Sequence, residues 1–392
     1  MTGELSGRAA IAGLGITEMG KVYGRSAAEF AVEAVTLAAA DAGLDLADID
    51  GLLINPGVGG DIGLPLHTAL GLRELRLLTE MQGFGSSADG MVQYAALAVH
   101  AGMADVVVCV YADAPLREDR GAGATYTGAG RRATGVDALP AAAGLRSAPA
   151  KYALAARRHM ERYGTTSEQL GAVALAARQW AALNDRAQMK DRPLTLEDHQ
   201  SSRMVADPLR LYDCCLVSNG GIAVVVTSAE RARALRRPPV YVLGWGQGHP
   251  GYPMSRGSTF GLVTGAAISG PAALKMAGLT LADVDVREIY DCFTYTTLVT
   301  LEDYGFCAKG EGGEFVASGA IAPGGSHPTN TGGGQLSSYY MWGMTPLSEG
   351  VIQARGDGGV RQAPKADVVL VSGNGGVLDH HATLLLSPHA AT

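Results

Sequence analysis

Long apolar runs, basic clusters and paired-cysteine motifs are all missing from this 392-residue chain. Since a helix needs about 18 consecutive apolar residues to cross a bilayer, the sequence predicts no membrane span. Its first residues also lack the apolar core of a signal peptide, so we expect a cytoplasmic protein. With 31 basic and 38 acidic residues, the net charge is −7, which is unsuited to neutralising phosphates. We therefore expect neither a nucleic-acid nor a membrane partner.

Cysteine is sparse, and its spacing shows no metal-binding pattern. The five cysteines include no C-x-x-C pair, which argues against a zinc site within this chain and against a disulfide framework. Glycine, by contrast, is abundant, with 54 residues scattered among alanine, valine and leucine. This pattern fits neither a collagen-like nor a disordered chain, and we expect a globular protein of two or three domains.

Helices and strands alternate along the sequence. Residues 8–15 form a short apolar run that predicts a buried strand. Ser26 and Glu29 have the spacing of a capping box at the start of a helix that ends near Gly43. A second helix and strand follow in residues 86–110, and the β-branched run at its end is typical of a strand buried on both faces. This alternation favours an α/β fold.

An internal repeat is the most informative feature. Residues 42–55 (AGLDLADIDGLLIN) align with residues 277–290 (AGLTLADVDVREIY), and eight of these fourteen positions are identical. A second pair, ADVVV from residue 104 and ADVVL from residue 366, follows in the same order. A shared vocabulary of helix ends and strand starts is the simpler explanation, but two ordered matches favour duplication. We predict two similar halves, residues 1–235 and 240–392, joined by a short proline-containing connector.

The first half contains a segment of different composition, residues 114–208. It begins with a stretch rich in glycine and charge, residues 117–132, and continues with two helical patterns, residues 152–163 and 167–182. We predict an insertion placed where a loop domain could cover a ligand site, although ordinary solvent-exposed helices explain the same pattern. The first half resumes near Asp213 and ends in another strand.

Candidate site residues follow the predicted strands. Asn55 and Tyr290 occupy matching places after the repeated strands, where ligands collect in open α/β sheets, although a tyrosine there commonly serves packing. Asn330 begins a loop with three glycines before a predicted helix. Such a loop lets the backbone approach a ligand closely and can present consecutive N–H groups to a negative charge.

A second glycine turn is predicted near the C-terminus, in residues 372–377 after an apolar run. His380 and His381 follow it, and either could be a metal ligand or a base. Because adjacent residues of a strand point to opposite faces, we expect at most one of them to face the site.

Together these segments resemble the thiolase superfamily, specifically its sterol-carrier-protein-x thiolase-like, or lipid-transfer-protein, branch. The resemblance covers essentially the whole chain. It is carried by the duplicated halves, the inserted segment, residues 213–220 (DCCLVSNG), residues 290–293 (YDCF), the Asn330 loop and the Ser372 loop. It implies a five-layered αβαβα fold built from two related halves, usually paired into a dimer, that binds acyl-CoA.

The catalytic residues of that family are replaced in this sequence. Its thiolases carry a nucleophilic cysteine at the N-terminus of a buried helix, where the helix dipole lowers the thiol pKa, but residues 82–87 (QGFGSS) contain no cysteine. Without a thiolate, no acyl-enzyme of the usual kind can form. The four changed positions are, in chain order, Phe84 or Gly85, Tyr290, Tyr340, and Ser372 or Gly373.

The paired tyrosines resemble those of the steroid side-chain-cleaving aldolases, which perform retro-aldol cleavage of a β-hydroxyacyl-CoA. We hypothesise that Tyr340 accepts the hydroxyl proton and that Tyr290 hydrogen-bonds or protonates the enolate; the reverse assignment stays open. A tyrosine with a reference pKa near 10 needs help from a neighbour to act as a base near neutral pH. No metal or redox cofactor is needed for this chemistry. The resemblance further implies a steroid 17-hydroxy-20-carboxyl-CoA substrate, giving a 17-ketosteroid and propionyl-CoA.

Two glycine pairs are assigned to substrate binding. We expect the backbone N–H groups of Gly375 and Gly376 to hold the thioester oxygen, as in an oxyanion hole. Gly333 and Gly334 are expected to let the first loop approach the acyl-CoA. The resemblance also implies partners: a homodimer at the centre of a heterotetramer with a separate zinc-ribbon and OB-fold subunit.

Two other functions stay open on the sequence. An acyltransferase or thiolase could use another nucleophile, such as Cys292 or Ser86, although Cys292 and Cys109 lie in apolar runs that indicate structural thiols. A non-catalytic carrier of acyl-CoA or lipid would bind the substrate and release no ketone or aldehyde.

Overall fold

Nine strands of mixed direction form one hydrogen-bonded sheet in the computed structural model, which describes residues 3–58, 60–125, 134–251 and 257–390. Two further strands form a separate hairpin. In chain order the strands are β1 (Ala9–Ile16), β2 (Gly51–Ile54), β3 (Leu77–Glu80), β4 (Val106–Asp113), β5 (Met204–Ala206), β6 (Leu209–Arg210), β7 (Gly220–Ser228), β8 (Val240–Gly248), β9 (Val286–Ile289), β10 (Val369–Gly375) and β11 (His380–Ser387). The hairpin is β5 and β6.

Helices connect most of these strands, and no described helix has the length and apolar content to span a bilayer. The predicted capping box is confirmed at the first helix, where Ser26 and Glu29 each accept the backbone N–H of the other. The α-helices are α1 (Ala27–Ala42), α2 (Leu66–Ala69), α3 (Ser87–His100), α4 (Leu139–Ala142), α5 (Ala148–Tyr163), α6 (Ser167–Ala181), α7 (Leu196–Ser201), α8 (Ala229–Ala232), α9 (Ala266–Ala277), α10 (Thr294–Tyr304), α11 (Gly312–Ala317) and α12 (Met344–Arg355).

The strand order divides the sheet into two equivalent groups. The order is β3-β2-β4-β7-β1-β8-β11-β10-β9, so β2-β4-β7-β1 in the first half corresponds to β9-β10-β11-β8 in the second. The first pair of each group is parallel, and the other neighbours are antiparallel. The groups meet where Ala10 and Ile11 pair with Tyr241 and Val240. The predicted α/β fold is confirmed.

The sequence repeat is also a structural repeat. α1 and α9 both end at the first residue of the repeat, and each is followed by a left-handed glycine, Gly43 (φ 77°) or Gly278 (φ 68°). Glycine adopts this conformation without steric cost. A short 3₁₀ turn follows each glycine, Leu46–Asp48 and Leu281–Asp283, and then comes β2 or β9. Each boundary in one copy has its counterpart at the same offset in the other.

Helices and strands alternate in five layers, in which the first-half and second-half groups of strands form the two β layers. α1 packs on the first-half strands β1, β7 and β4, and α9 packs on the second-half strands β8 and β11. Between the two groups lie α3, which contacts β4, β7, β10 and β11, and α12, which contacts β9, β10, β1 and β7. The largest apolar cluster fills this central layer and includes Met91, Leu347 and Val351. The arrangement is the αβαβα stack that the resemblance implied.

The inserted segment contributes α4 to α7 and β5, and β6, the hairpin partner of β5, follows it directly. α6 packs against α10 and α11 of the second half. His159 of α5 is fully buried, with Nδ1 2.8 Å from Thr165 Oγ1 and Nε2 3.0 Å from Glu302 Oε2. Polar contacts therefore tie the insertion to the second half. Part of the glycine- and charge-rich stretch, residues 126–133, lies outside the described residues, and the domain boundaries stay a prediction.

Candidate active site

Two tyrosine hydroxyl groups meet beyond the carboxyl end of β9. Oη of Tyr290 lies 3.2 Å from Oη of Tyr340, within hydrogen-bond distance. Tyr290 is 5% exposed, whereas Tyr340 is half-buried. Two phenols in contact can pass a proton between them and can together bind a substrate oxygen. The structure thus brings together the two residues that the sequence assigned to catalysis, and their catalytic role stays a prediction.

The Tyr290 phenol is protonated at neutral pH. Burial raises the pKa of Tyr290 well above its ordinary value, and the neighbouring Cys292 adds to the rise, while the hydrogen bond with Tyr340 opposes it. A buried phenol is costly to ionise because the phenolate loses its hydration. Tyr290 therefore suits the role of hydrogen-bond and proton donor better than that of base.

Tyr290 is held by β10 and by the start of α3. Its backbone N–H donates to the Ser372 carbonyl at 2.9 Å, which continues the β9–β10 pairing by one residue. Its ring lies against Gly85, where any Cβ would overlap both the ring and the carbonyl oxygen of Asn374. Gly85 is one of the two positions that correspond to the family's nucleophile. The absence of a side chain there leaves room for the Tyr290 ring.

Phe84 occupies the other position that corresponds to the missing cysteine. Its φ is 54°, a left-handed conformation that costs a bulky residue roughly 1–2 kcal/mol. The side chain is nevertheless 40% exposed. Its ring lies 6.1 Å from the ring centroid of Trp342 and 6.4 Å from that of His380. An exposed aromatic surface thus stands where the family's thiolate would be.

Tyr340 lies on the loop between the three glycines and α12. The loop contains a single π-helical turn, Gly334–Ser338, of a kind that is frequent at functional sites. α12 begins only at Met344, so the helix predicted directly after the glycines starts later than expected. The reason is that the helical turn after the glycines stops at Ser338: Tyr339 is extended (φ −154°) and Trp342 has a φ of 48°, and a right-handed helix accommodates neither conformation. The backbone N–H of Tyr340 donates to Ser218 Oγ at 2.9 Å and anchors this part of the loop.

Gly333 and Gly334 approach protein atoms closely. A Cβ at Gly333 would crowd Ala181 of α6, and one at Gly334 would overlap the carboxylate of Asp291. Asp291 accepts the backbone N–H of Gln335 at 2.7 Å, and burial raises the pKa of Asp291 to about 7. A buried carboxyl group therefore shapes this loop. The role of the two glycines in binding substrate stays a prediction.

Gly375 is the last residue of β10, and Gly376 begins the turn to β11. Residues 372–375 belong to the strand, not to a turn as expected, because β11 pairs with β10 along its whole length. Gly376 has a φ of 67°, and the Gly375 carbonyl accepts the N–H of Asp379 at 3.0 Å. The Gly376 N–H donates to no described residue. It is available to a ligand oxygen, and that role stays a prediction.

Backbone strain collects in the loops around the tyrosine pair. Conformations with positive φ at non-glycine residues cost roughly 1–3 kcal/mol each and cluster at functional sites, where the surrounding structure holds them. Here they occur before α3, at both ends of the glycine loop and in the turn after β10. Among the described residues these positions are Phe84, Asn330, Trp342 and Leu378. The strain is an independent indication that these loops form an active site.

The alternative nucleophiles near the tyrosines are poorly suited to attack. Burial raises the thiol pKa of Cys292 to about 12 and raises that of Cys215 well above its ordinary value. Because the thiolate is the reactive form, both are inert as thiols. Ser86 is buried, and its hydroxyl donates to the Gly83 carbonyl at 2.7 Å. These contacts argue against acyl transfer through Cys292 or Ser86.

The two adjacent histidines point to opposite sides, as expected for a strand. His381 is buried, with Nε2 2.8 Å from Ser372 Oγ and 3.2 Å from Tyr304 Oη. His380 is half-buried and lies on the side of Phe84, with its Nδ1 3.1 Å from that of His249. No group of three or more His, Cys, Asp or Glu side chains in the described ranges is arranged to hold a metal ion.

Tyr152 and Asn374 are two residues near the site that the sequence did not indicate. Tyr152 of α5 is buried, and its hydroxyl donates to the Gly376 carbonyl at 2.8 Å and accepts from Asn374 Nδ2 at 3.0 Å. Its position on the buried face of an amphipathic helix is what any packing aromatic would show. Its partners are more than 200 positions away in sequence, so no local pattern marks it.

Comparison with known proteins agrees with this geometry. Residues 246–388 match the family described as thiolase C-terminal domain-like. The chain is 42% identical over 381 residues to a 17-hydroxy-3-oxo-4-pregnene-20-carboxyl-CoA lyase of Mycobacterium tuberculosis, and the match covers 95% of this chain and 98% of that relative. This chain belongs to the thiolase superfamily.

Two further relatives refine this position within the thiolase superfamily. A steroid side-chain-cleaving aldolase of Thermomonospora curvata is 40% identical over 383 residues, which cover 95% of this chain and 96% of the relative. A solved structure of the Ltp2-ChsH2(DUF35) aldolase is similar with a TM-score of 0.87 and 38% identity, covering 98% of both chains. This thiolase-superfamily chain therefore lies in the sterol-carrier-protein-x thiolase-like branch.

Proposed function

We propose that this chain is an aldolase that cleaves the Cα–Cβ bond of a β-hydroxyacyl-CoA by a retro-aldol reaction. The observation that carries the proposal is the 3.2 Å contact between the hydroxyls of Tyr290 and Tyr340, at a site whose nucleophile positions hold Phe84 and Gly85. Two relatives that match over nearly the whole chain are named as a lyase and an aldolase, which supports the same reaction class.

Tyr340 is assigned the role of base and Tyr290 that of acid. Tyr340 reacts as its phenolate, to which the Tyr290 hydroxyl is hydrogen-bonded, and takes the proton of the β-hydroxyl, whose oxygen becomes a carbonyl as the Cα–Cβ bond breaks. The electron pair of that bond passes into the thioester as an enolate, and Tyr290 protonates the enolate at Cα. The proton held by Tyr340 then returns to Tyr290 across their contact, so the pair ends as it began. The reaction is redox neutral and requires no metal or redox cofactor.

The enolate oxygen is assigned to the turn after β10. A backbone N–H held in place beside a developing oxyanion stabilises it without reorganisation. The Gly376 N–H has no acceptor among the described residues, which supports its use here together with Gly375. Gly333 and Gly334 are assigned to the wall that borders the acyl-CoA on the side of Tyr340.

The proposed substrate is a steroid 17-hydroxy-20-carboxyl-CoA, cleaved to a 17-ketosteroid and propionyl-CoA. The name of the mycobacterial relative refers to such a CoA thioester. The exposed ring of Phe84, which packs at a tilt against the buried Trp342, supports a bulky apolar substrate, because an aromatic face offers a rigid apolar wall for a ring system. A cytoplasmic location is proposed together with this CoA-thioester substrate.

The proposed assembly is a heterotetramer with a homodimer of this chain at its centre and a zinc-ribbon and OB-fold subunit on each copy. A similar solved structure is named as a complex with ChsH2(DUF35), which supports a second subunit. β3 is the terminal strand of the sheet, and an edge strand offers unpaired backbone groups to a second copy. Co-expression with the second subunit followed by size measurement tests the assembly.

Product identification tests the reaction. The chain, co-purified with its zinc-ribbon partner, is incubated with a panel of β-hydroxyacyl-CoAs that differ in the bulk of the carbonyl fragment, and the products are identified by mass spectrometry. We expect equal amounts of ketone and shortened acyl-CoA, with the highest rate for the steroid. A burst of free CoA with the acyl group retained on the protein would show acyl transfer, and binding without any product would show a carrier.

A further inference from the structure

The hydroxyl of Tyr152 reaches from the insertion to the end of β10. It donates to the Gly376 carbonyl at 2.8 Å and accepts from Asn374 Nδ2 at 3.0 Å. Tyr152 is 3% exposed, and its ring centroid lies 4.6 Å from that of Phe293. Because packing fixes the ring, the hydroxyl has a defined position between its two partners.

The Gly375–Gly376 turn is held at two successive peptide groups. Asp379 provides the local support: its N–H donates to the Gly375 carbonyl, and its carboxylate accepts the N–H of Val377, both at 3.0 Å. The remote support comes from Tyr152, which is 224 positions away and binds the Gly376 carbonyl. Glycine at φ 67° restricts the backbone weakly, so the peptide after Gly376 is oriented by two bonds, from Tyr152 to its carbonyl and from its N–H to Asp379.

Asn374 connects the same hydroxyl to the surroundings of Tyr290. The carbonyl oxygen of Asn374 and the ring of Tyr290 both lie so close to Gly85 that a Cβ there would overlap each of them. Asn374 Oδ1 is buried and has no hydrogen-bond partner among the described residues. Its amide is therefore oriented by Tyr152, and a displaced Asn374 would disturb the space in which the Tyr290 ring lies.

We infer that Tyr152 is a positioning residue, which holds the Gly375–Gly376 turn and Asn374 in the arrangement that catalysis needs. The expected effect of Tyr152 on the rate of C–C cleavage rests on the proposed function. Oxyanion donors act at about 2.7–3.1 Å from the position that the oxygen will take, so a small displacement of the turn weakens the stabilisation. Without the Tyr152 hydroxyl, the Gly376 carbonyl loses its donor and the turn samples other orientations.

Tyr152→Phe is the direct kinetic test, since it removes one oxygen and keeps the packed ring. We expect kcat for C–C cleavage to fall about 10- to 100-fold, with KM changed less than about threefold, because the lost interaction acts on the transition state. Tyr295→Phe is the matched control: Tyr295 is also a buried tyrosine whose hydroxyl donates to a glycine carbonyl, that of Gly261. A kcat within twofold of wild type, or an equal loss in Tyr295→Phe, would overturn the inference.

Hydrogen exchange gives a readout that does not depend on activity. We expect backbone amides of residues 375–378 to exchange faster in Tyr152→Phe than in wild type or Tyr295→Phe. If the wild type cleaves no β-hydroxyacyl-CoA, the proposed function fails, while faster exchange still supports the positioning of the turn. Unchanged exchange overturns the inference whatever the kinetics show, because a kcat loss would then place the hydroxyl in the chemistry itself.

A double-mutant cycle tests the link through Asn374. Asn374→Leu has a similar volume and removes the amide that donates to Tyr152. If both residues act through this one bond, the double variant loses no more kcat than the worse single variant. Independent, additive losses would contradict a shared positioning role.

Discussion

The strands β2 and β9 occupy matching places in the two halves, but the residues that directly follow them, Asn55 and Tyr290, make different contacts. Asn55 binds residues of its own half: its Nδ2 donates to the Phe84 carbonyl at 3.4 Å, and its Oδ1 accepts the N–H of Gly57 at 3.1 Å. Tyr290 instead reaches across to Gly85 of the other half and to the hydroxyl of Tyr340. The first strand supports a loop, and the second supplies a phenol.

This difference shows what duplication contributes. It reproduces backbone geometry, with the same helix ends, 3₁₀ turns and parallel strand pairs in both halves. It also brings the starts of both central helices together, since a Cβ at Gly343, just before α12, would overlap the carbonyl of Gly85, just before α3. The chemistry comes from the positions at which the copies have diverged. Four predictions test this comparison.

Replacing the diverged strand-end residues has the largest expected effect. Tyr290→Phe should lower kcat by about 10²- to 10⁴-fold, the usual contribution of a positioned proton donor, while the melting temperature changes little because the buried ring remains. Asn55→Ala should lower the free energy of unfolding by about 1–2 kcal/mol through its lost hydrogen bonds, with kcat reduced less than about tenfold. Steady-state kinetics and thermal unfolding compare the two. Equal kinetic losses would show that both strand ends contribute alike.

Filling the space between the halves comes next. Gly85→Ala places a methyl group against the Tyr290 ring and the Asn374 carbonyl, so we expect kcat to fall about 10- to 100-fold and the unfolding free energy to fall by about 1–3 kcal/mol. Gly121→Ala is the control, since no atom of the described residues lies within 4 Å of a Cβ at that position. Wild-type kinetics in Gly85→Ala would mean that the ring does not pack there.

The pH dependence of stability sharpens the comparison, because Asp291 follows Tyr290 directly. The pKa of Asp291 is raised to about 7 in the folded chain, against an ordinary value near 3.9, so folding favours the neutral acid. Its stabilisation is fully present below about pH 4 and is lost as the pH rises to about 7, a difference of about 4 kcal/mol.

Asp291→Asn removes this titration. We expect the unfolding free energy of wild type, measured with denaturant from pH 4.5 to 7.5, to decrease relative to that of the variant as the pH rises. Parallel curves for the two proteins would show that Asp291 is ionised throughout this range in the folded chain.

The smallest expected effect concerns the helix ends that the two halves share. Gly278→Ala forces alanine into a left-handed conformation in open space and should cost about 1 kcal/mol. Gly43→Ala should cost more, because its Cβ would also lie 3.0 Å from the Cβ of Arg236. Denaturant unfolding measures both variants. A loss for Gly278→Ala that equals or exceeds that for Gly43→Ala would contradict the expected crowding of Gly43 by Arg236.

Local signals predicted most of the framework. The capping box at Ser26, the strand of β-branched residues in β4 and the repeated segments were readable because they depend on neighbouring residues and on hydrophobic period. Tyr290 was found through the repeat, and Tyr340 through the resemblance. Where the structure differs, as at the late start of α12, an extended Tyr339 and a left-handed Trp342 interrupt a segment whose sequence pattern predicts a helix.

The polar contacts of the site were beyond such signals. Some residues of the site depend on partners that are distant in sequence, as Tyr152 and Asn374 do, or on burial, as Asp291 does. Neither the identity of a distant partner nor the degree of burial can be predicted from a stretch of about ten residues. The raised pKa of Asp291 and that of Tyr290 exist only because the folded chain excludes water from both groups.

The amino-acid sequence by itself determined the alternation of helix and strand, the duplication and the loss of the cysteine nucleophile, since each is a property of residue order. Only the tertiary structure decided that two phenols 50 positions apart lie 3.2 Å from each other, that Gly85 makes room for one of them and that a helix of the insertion reaches the last glycine turn. Those outcomes depend on how layers pack, and packing distances are set by side chains from every part of the chain at once.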